Sequence, residues 1–547
     1  MTAIEHRPSG PRVFPAGFVW GTATAAYQIE GAVDVDGRGR SIWDTFCRMP
    51  GAVARGESGE IACDHYHRWQ EDVDLMKELG AAAYRFSVAW PRVLPDGRGP
   101  VNRRGLDFYR RLVDALREGG IEPYVTLYHW DLPQAIEDRG GWRVRETAER
   151  FADYAEVMYD ALGDSVSNWI TLNEPYCSSI VGYGEGRHAP GATEGHGALA
   201  AAHHLLLGHG LAVTRLRALA RPGQRVGVTL NMSPTVPATT SPEDAAAARR
   251  MDLLVNRQFT DPLFGGSYAP DMAETFGRIT DFSFRRDGDL ETIGTPVDFL
   301  GVNYYYRLHV EAAPYEEADP GRRTAFDLGV RTVTPEDART SGLGWVVEPE
   351  GLYETLVGLT TRYPDLPPVY ITENGYGDDG ALEDTGRVDY LRDHLAATHD
   401  AMTAGADVRG YFAWSLMDNF EWARGYSARF GLVHVDYETQ ERTPKSSYRW
   451  MREFIADPVL AEPPAGEELF IDPVMTDPVI AGPVIGDPGV VAYGTGGYGR
   501  AHYGTGDYTG AYGLDDFDVA DPVVAGAPVD VLVAGTPRGD RSRGELG

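Results

Sequence analysis

NWITLNEP at residues 168–175 and PPVYITENG at 367–375 are the stretches from which the fold of this 547-residue chain can be read. In each, a short run of Val, Ile, Leu and aromatic side chains ends beside a glutamate. Runs that short and that apolar read as strands buried on both faces. Six more of the same kind stand around them: VWGT at 19–22, AYRFSVAW at 83–90, EPYVTLYHW at 122–130, RVGVTLN at 225–231, DFLGVNYY at 298–305 and RGYFAWSL at 409–416. Amphipathic segments separate them. RRGLDFYRRLVDALREGG at 103–120 sets Leu106, Phe108, Leu112, Val113 and Leu116 on one helical face and stops at Gly119–Gly120. Residues 146–164, 351–365 and 446–456 are patterned alike. Eight strands alternating with helices predict the α/β class and a (β/α)8 TIM barrel with long βα loops. A doubly wound open sheet is the competitor, and its marker, G-x-G-x-x-G after an early strand, is missing.

The barrel is expected over residues 13–455, after a flexible N-terminus at 1–12. From residue 456 the composition changes. Asp-Pro-Val recurs at Asp457, Asp472, Asp477 and Asp521, and Tyr-Gly-Thr-Gly at Tyr493 and Tyr503. An acidic segment so rich in Pro, Gly and Tyr is expected to be disordered, because it has little apolar surface to bury. Its spaced valines and tyrosines leave weak association as the alternative role. The oligomeric state is not legible in the sequence.

Acidic side chains outnumber basic ones 81 to 50, a formal charge of −31. That field repels nucleic acid and anionic membranes at long range, although one local Arg or Lys pocket can override it. No nucleic-acid or membrane partner is expected. Cys47, Cys63 and Cys177 are odd in number and irregular in spacing, which fits neither a disulfide framework nor a zinc knuckle. The N-terminus lacks a basic start followed by an apolar run, so the cytoplasm is the expected compartment. His65 and His67 in DHYHRW have no partners at zinc spacing and read as structural, hydrogen-bonded histidines. No metal and no cofactor are expected.

Glu174 and Glu373 both stand at strand ends, the fourth and the seventh. In a barrel the C-terminal strand ends form one catalytic rim, so the two carboxylates should face a single pocket. Either glutamate alone could be a loop salt bridge. A pair of carboxylates is what glycosidic cleavage requires, one to protonate the leaving oxygen and one to attack carbon or activate water.

These residues resemble those of the family 1 glycoside hydrolases, the β-glucosidase family. The likeness covers about residues 13–455 and rests on seven motifs in order: FVWGTATAAYQIEGA at 18–32, YRFSVAWPR at 84–92, YHWDLPQ at 128–134, TLNEP at 171–175, GVNYY at 301–305, ITENG at 371–375 and WSLMDNFEW at 414–422. The resemblance implies a retaining mechanism with Glu174 as acid/base and Glu373 as nucleophile. It implies that Arg85, Asn303 and Tyr305 support the nucleophile, a cation and a phenol both favouring its carboxylate form. It implies glycone contacts from Gln28, His129, Trp130, Asn173, Trp414, Glu421, Trp422 and Phe430. Gln28, His129, Asn173 and Glu421 carry the donors and acceptors that sugar hydroxyls need. Trp414 and Trp422 offer flat apolar faces, with core packing as the alternative. Tyr183, His188 and Trp345 are candidates for the aglycone entrance. Glu421, where phosphoglycosidases of the family usually have a small residue, should repel a sugar 6-phosphate.

The expected activity is that of a retaining exo-acting β-glycosidase, foremost a β-glucosidase, on small β-glycosides or short oligosaccharides. The alternatives are a transglycosylase, a member preferring galactosides or fucosides, and, from a different class, a silent carbohydrate-binding scaffold. A Ser-His-Asp acyl hydrolase lacks its G-x-S-x-G elbow.

Overall fold

A computed structural model describes residues 10–313 and 326–461. All eight expected strands are present, as β1 (Val19–Ala23), β2 (Ala83–Ser87), β3 (Glu122–Tyr128), β4 (Asn168–Asn173), β5 (Arg225–Asn231), β6 (Phe299–Asn303), β7 (Val369–Asn374) and β8 (Val408–Trp414). They pair in parallel in sequence order, and β8 returns to β1 to close the barrel. Parallel neighbours require crossovers, which run through α1 (His65–Leu79), α2 (Arg103–Glu118), α3 (Arg145–Leu162), α4 (Gly195–Leu219), α5 (Pro242–Asp252), α6 (Pro349–Arg362) and α7 (Thr385–Thr403), with α8 (Ser446–Ala456) following β8.

Helix α2 shows how these pieces are held. Leu106, Phe108, Tyr109, Leu112, Val113 and Leu116 are all buried, and the chain ends the helix at Gly119 before turning at Gly120 with φ +74°. Each large apolar side chain taken out of water contributes about 1.5–3 kcal/mol. On α8, Tyr448, Met451 and Phe454 are buried, while Trp450 is half-buried and stacks on Phe454 at 5.3 Å.

The barrel interior is filled rather than open. At its N-terminal floor the Arg225 guanidinium donates to the hydroxyls of Tyr370 (2.7 Å) and Tyr124 (3.0 Å), and the rings of Phe299 and Phe412 close around them. Gly227 is required there, because a Cβ at that position would stand 2.5 Å from the Phe299 ring. The floor leaves the C-terminal end as the place where polar side chains can converge.

Two expected edges move outward. Arg12–Val13 pairs antiparallel with Val459–Leu460, and the Arg12 guanidinium grips Asp400 through bonds of 2.8 and 2.9 Å. The ordered unit thus includes residue 12, which the sequence left in a flexible start, and runs past residue 455 to Leu460. The sequence could not show this, since a two-residue strand has no periodicity. The repetitive segment from residue 462 lies outside the described residues. His65 bonds Asp72 (2.6 Å), which also accepts from Arg442, and His67 bonds Asp64 (2.6 Å), so both are hydrogen-bonded within the fold. Among the described residues no helix is long and apolar enough to cross a membrane.

Candidate active site

Strands β2, β4, β6 and β7 each deliver one polar side chain to the C-terminal mouth, and together these make a single network. From β2, Arg85 Nη1 donates to Glu373 Oε1 at 2.6 Å and Nη2 donates to Asn173 Oδ1. From the segment after β6, the Tyr305 hydroxyl donates to Glu373 Oε2 at 2.7 Å. Asn303, on β6, donates to Glu174 Oε1 at 2.7 Å and to Asn173 Oδ1 at 3.0 Å, while its own oxygen accepts from Thr372 (2.7 Å). The same Asn303 side chain also bears on Glu373. Support from Asn303 therefore reaches both carboxylates, not the Glu373 side alone.

Burial raises both carboxyl groups above their ordinary value, and what surrounds them sets them apart. At Glu373 the rise is opposed by the Arg85 ion pair and by bonds from Arg85 and Tyr305, with Asn303 acting in the same direction. Among the described residues Glu174 has no ion pair. It is pushed up to about 8, by burial first and then by the charge of Glu373, against Asn303 and a Cys177 thiol that donates to its Oε2 at 3.3 Å. When the pair holds one proton, that proton belongs to Glu174. The arrangement is an anionic carboxylate beside a carboxylic acid, as acid-assisted displacement at an acetal carbon requires. The Tyr305 phenol is pushed far up by burial and by Glu373, so it stays a donor.

Asn173 fixes a tautomer. Its oxygen accepts from Arg85 and Asn303, so its amide nitrogen faces His129 and donates to Nε2 at 3.0 Å. The ring proton then sits on Nδ1, which is buried and has no protein partner. Burial and Arg85 hold His129 neutral. Gln28 behaves similarly. Its Nε2 donates to Asn419 Oδ1, the Phe420 carbonyl and Glu421 Oε2 (3.2 Å), while its Oε1 is buried and unpartnered. A buried polar atom without a partner costs about 1–3 kcal/mol, and two of them on side chains bonded to Asn173 and Glu421 suit a ligand rich in hydroxyls.

Aromatic rings enclose this polar patch. Trp422 lies 4.5 Å from Trp130 and 4.6 Å from Trp43, and both Trp414 and Trp422 stack on His129 at 5.9 Å. Trp130 Nε1 donates to the Asn173 carbonyl at 3.0 Å. Phe430 and Trp345 pack on each other and on Tyr305, which puts Trp345 next to the phenol bonded to Glu373. His188 packs against Trp43, Trp130 and Trp422, so it too borders the site. Glu174 (φ +48°), Trp130 (φ +75°) and Trp422 (φ +51°) all hold left-handed backbone, which side-chain-bearing residues adopt at a cost of about 1–3 kcal/mol each.

Two expectations change. Tyr183 is fully buried, and its hydroxyl donates to Glu137 and accepts from the Trp142 amide, so it is a core residue and not part of the entrance. Glu421 is pushed up to about 8, by burial first, which weakens near neutral pH the charge expected to repel a sugar phosphate. Trp43 and Cys177 meet the site without having been singled out as site residues. Trp43 sits in a short helix capped by Ser41 and Asp44, where nothing in the local pattern separates it from a core tryptophan.

The family model described as Glycosyl hydrolase family 1 matches residues 11–458. The bifunctional β-D-glucosidase/β-D-fucosidase of Bifidobacterium breve is 48% identical over 81% of this chain and 98% of its own. The thermostable β-glucosidase B of Thermobispora bispora is 50% identical over 83% and 93%. Among solved structures, the family 1 β-glucosidase of Thermotoga maritima superposes with a TM-score of 0.78 at 42% identity, covering 83% of this chain and all of that one.

Proposed function

We infer, from the premise that this chain belongs to glycosyl hydrolase family 1 and is a retaining, exo-acting β-glycosidase, that it removes terminal β-D-glucosyl residues, with Glu373 as nucleophile and Glu174 as acid/base. The observation that carries the roles is the asymmetry of the two carboxylates, Glu373 gripped by Arg85 and Tyr305, and Glu174 without an ion pair among the described residues.

In this reading a Glu373 oxygen attacks the anomeric carbon while Glu174 gives its proton to the departing oxygen. A covalent glycosyl-enzyme and a free alcohol result. Glu174, now a carboxylate, takes a proton from water, whose oxygen attacks the same carbon and releases Glu373. Two inversions leave the configuration retained. Trp414 and Trp422 offer faces to the sugar, and His129 Nδ1–H and Gln28 Oε1 supply an unspent donor and acceptor for its hydroxyls. The names of the relatives support glucose as the preferred glycone and 6-deoxygalactose as a second.

Glu373→Gly is expected to abolish hydrolysis, and azide to restore turnover with the α-glycosyl azide as product; a β-azide would reverse the assignment. Glu174→Gln is expected to lose about 10²–10⁴-fold on poor leaving groups while sparing glycosylation by very good ones. A panel of 4-nitrophenyl β-glycosides ranks glucoside, galactoside and fucoside, and a galactoside preference would overturn the choice of glucose.

A further inference from the structure

One cation beside this site, Arg424, makes no ion pair among the described residues. Arg424 closes the short turn Trp422–Arg424 that directly follows Glu421. It is half-buried, and its guanidinium carbon lies 5.9 Å from the centre of the Trp345 ring, within cation–π range. Trp345 in turn packs on Tyr305, the phenol bonded to Glu373. Among the described residues the Arg424 side chain has no ion pair and no hydrogen bond. The other arginines near the mouth are committed. Arg187 is paired with Glu185, Arg429 with Asp418, and Arg55 with Glu57. Glu57 lies close to the same turn, but it also accepts from the Tyr426 amide. The nearest acid of the site, Glu421, makes no ion pair with Arg424 and is pushed upward by burial, although Arg424 is the strongest charge acting on it.

The consequence is local reversal of the overall field. A protein of net charge −31 repels anions at a distance, yet the rim beside Trp345 presents an unspent planar donor fork. A guanidinium fits a carboxylate with two parallel bonds, and half-burial strengthens the pairing relative to open solvent. The ring it approaches, Trp345, is the sequence's candidate wall for the aglycone entrance, and that contact puts Arg424 on the aglycone side.

We propose that Arg424 is a specificity-determining residue of the aglycone side, receiving a carboxylate carried by the aglycone. The assignment rests on the β-glycosidase reading. It is tested with 4-carboxyphenyl β-D-glucoside and its methyl ester, comparing the acid-to-ester ratio of kcat/KM across variants so that leaving-group electronics cancel. Arg424→Gln is expected to lower the ratio about 5–10-fold and Arg424→Glu to lower it further, while Arg424→Lys keeps most of it. Added salt at 0.5 M should lower the wild-type ratio more than that of Arg424→Gln. A second pair, 4-nitrophenyl β-D-glucoside with and without a 6-phosphate, reports on the glycone end. An unchanged acid-to-ester ratio, or equal losses on acid and ester, overturns the assignment. An effect confined to the phosphorylated pair also overturns it, by putting the cation at the glycone. No turnover of the neutral ester by the wild type would strike the glycosidase reading itself, and the assignment with it.

Discussion

Glu174 and Glu373 are the same side chain in different company. The Arg85 ion pair resists the upward push of burial at Glu373, while at Glu174 burial and the neighbouring charge act together. Because Glu174 donates only when protonated, kcat/KM is expected to fall as pH rises through about 8, and a profile flat to pH 9 would sink its role as acid. The same shift has a thermodynamic sign. The folded state binds this proton more tightly than the unfolded chain, whose value is near the ordinary one. Stability from this group is therefore full at low pH and lost as pH rises toward 8. Glu174→Gln, permanently neutral, should melt higher than wild type at pH 8, by about 2 °C or more, with a smaller gap at pH 5. Glu421→Ser removes the carboxyl held by Gln28 and is expected to cost about 10–100-fold in kcat/KM on a plain glucoside, the loss of a strong hydrogen bond.

At the scale of elements, strands and helices divide the work. The strands β2, β4, β6 and β7 carry Arg85, Asn173, Asn303 and Glu373 toward their C-terminal ends, with Glu174 directly after β4, so the barrel's own register brings these groups together. The helices contribute apolar burial and little chemistry. Leu112 on α2 is fully buried, and Leu112→Ala is expected to cost about 2–5 kcal/mol in unfolding free energy through the cavity it leaves. Its KM for an aryl glucoside should be unchanged at a temperature where the variant is folded. A large KM change in denaturation-resistant protein would mean that α2 reaches the site. The βα loops are less uniform. After β4 the chain carries Cys177 to Glu174 and His188 to the tryptophan wall, yet turns Tyr183 inward.

For the whole molecule, the first and last described segments meet. Val459–Leu460 lies against Arg12–Val13, and the Phe14 amide donates to the Pro458 carbonyl at 3.2 Å. Ending the chain after Ala456 removes that pairing and should lower the melting temperature. Ending it after Ala461 keeps the pairing, and catalytic constants on small glycosides should stay within about twofold of the full chain, because every residue of the Glu174–Glu373 network is retained. Light scattering on the two lengths tests the association alternative for the repetitive segment. Loss of the cooperative melt on cutting after Ala461 would make that segment part of the fold.

The sequence by itself determined the eight strands, their order and the two strand-end glutamates, because short apolar runs, helical periodicity and motif order are local properties of the chain. It also carried the identities of Arg85, Asn303 and Tyr305. Only the tertiary structure decided how these groups are shared. Asn303 reaches both carboxylates, Asn173 sets the His129 tautomer, and burial pushes Glu421 upward, all of which depend on distances across strands and on exclusion from water. Tyr183 and Trp345 show the same limit from opposite sides. Both are loop aromatics of similar appearance in sequence, and whether such a ring faces the core or the mouth is set by what the distant chain packs against it: Glu137 in one case, Tyr305 and Phe430 in the other.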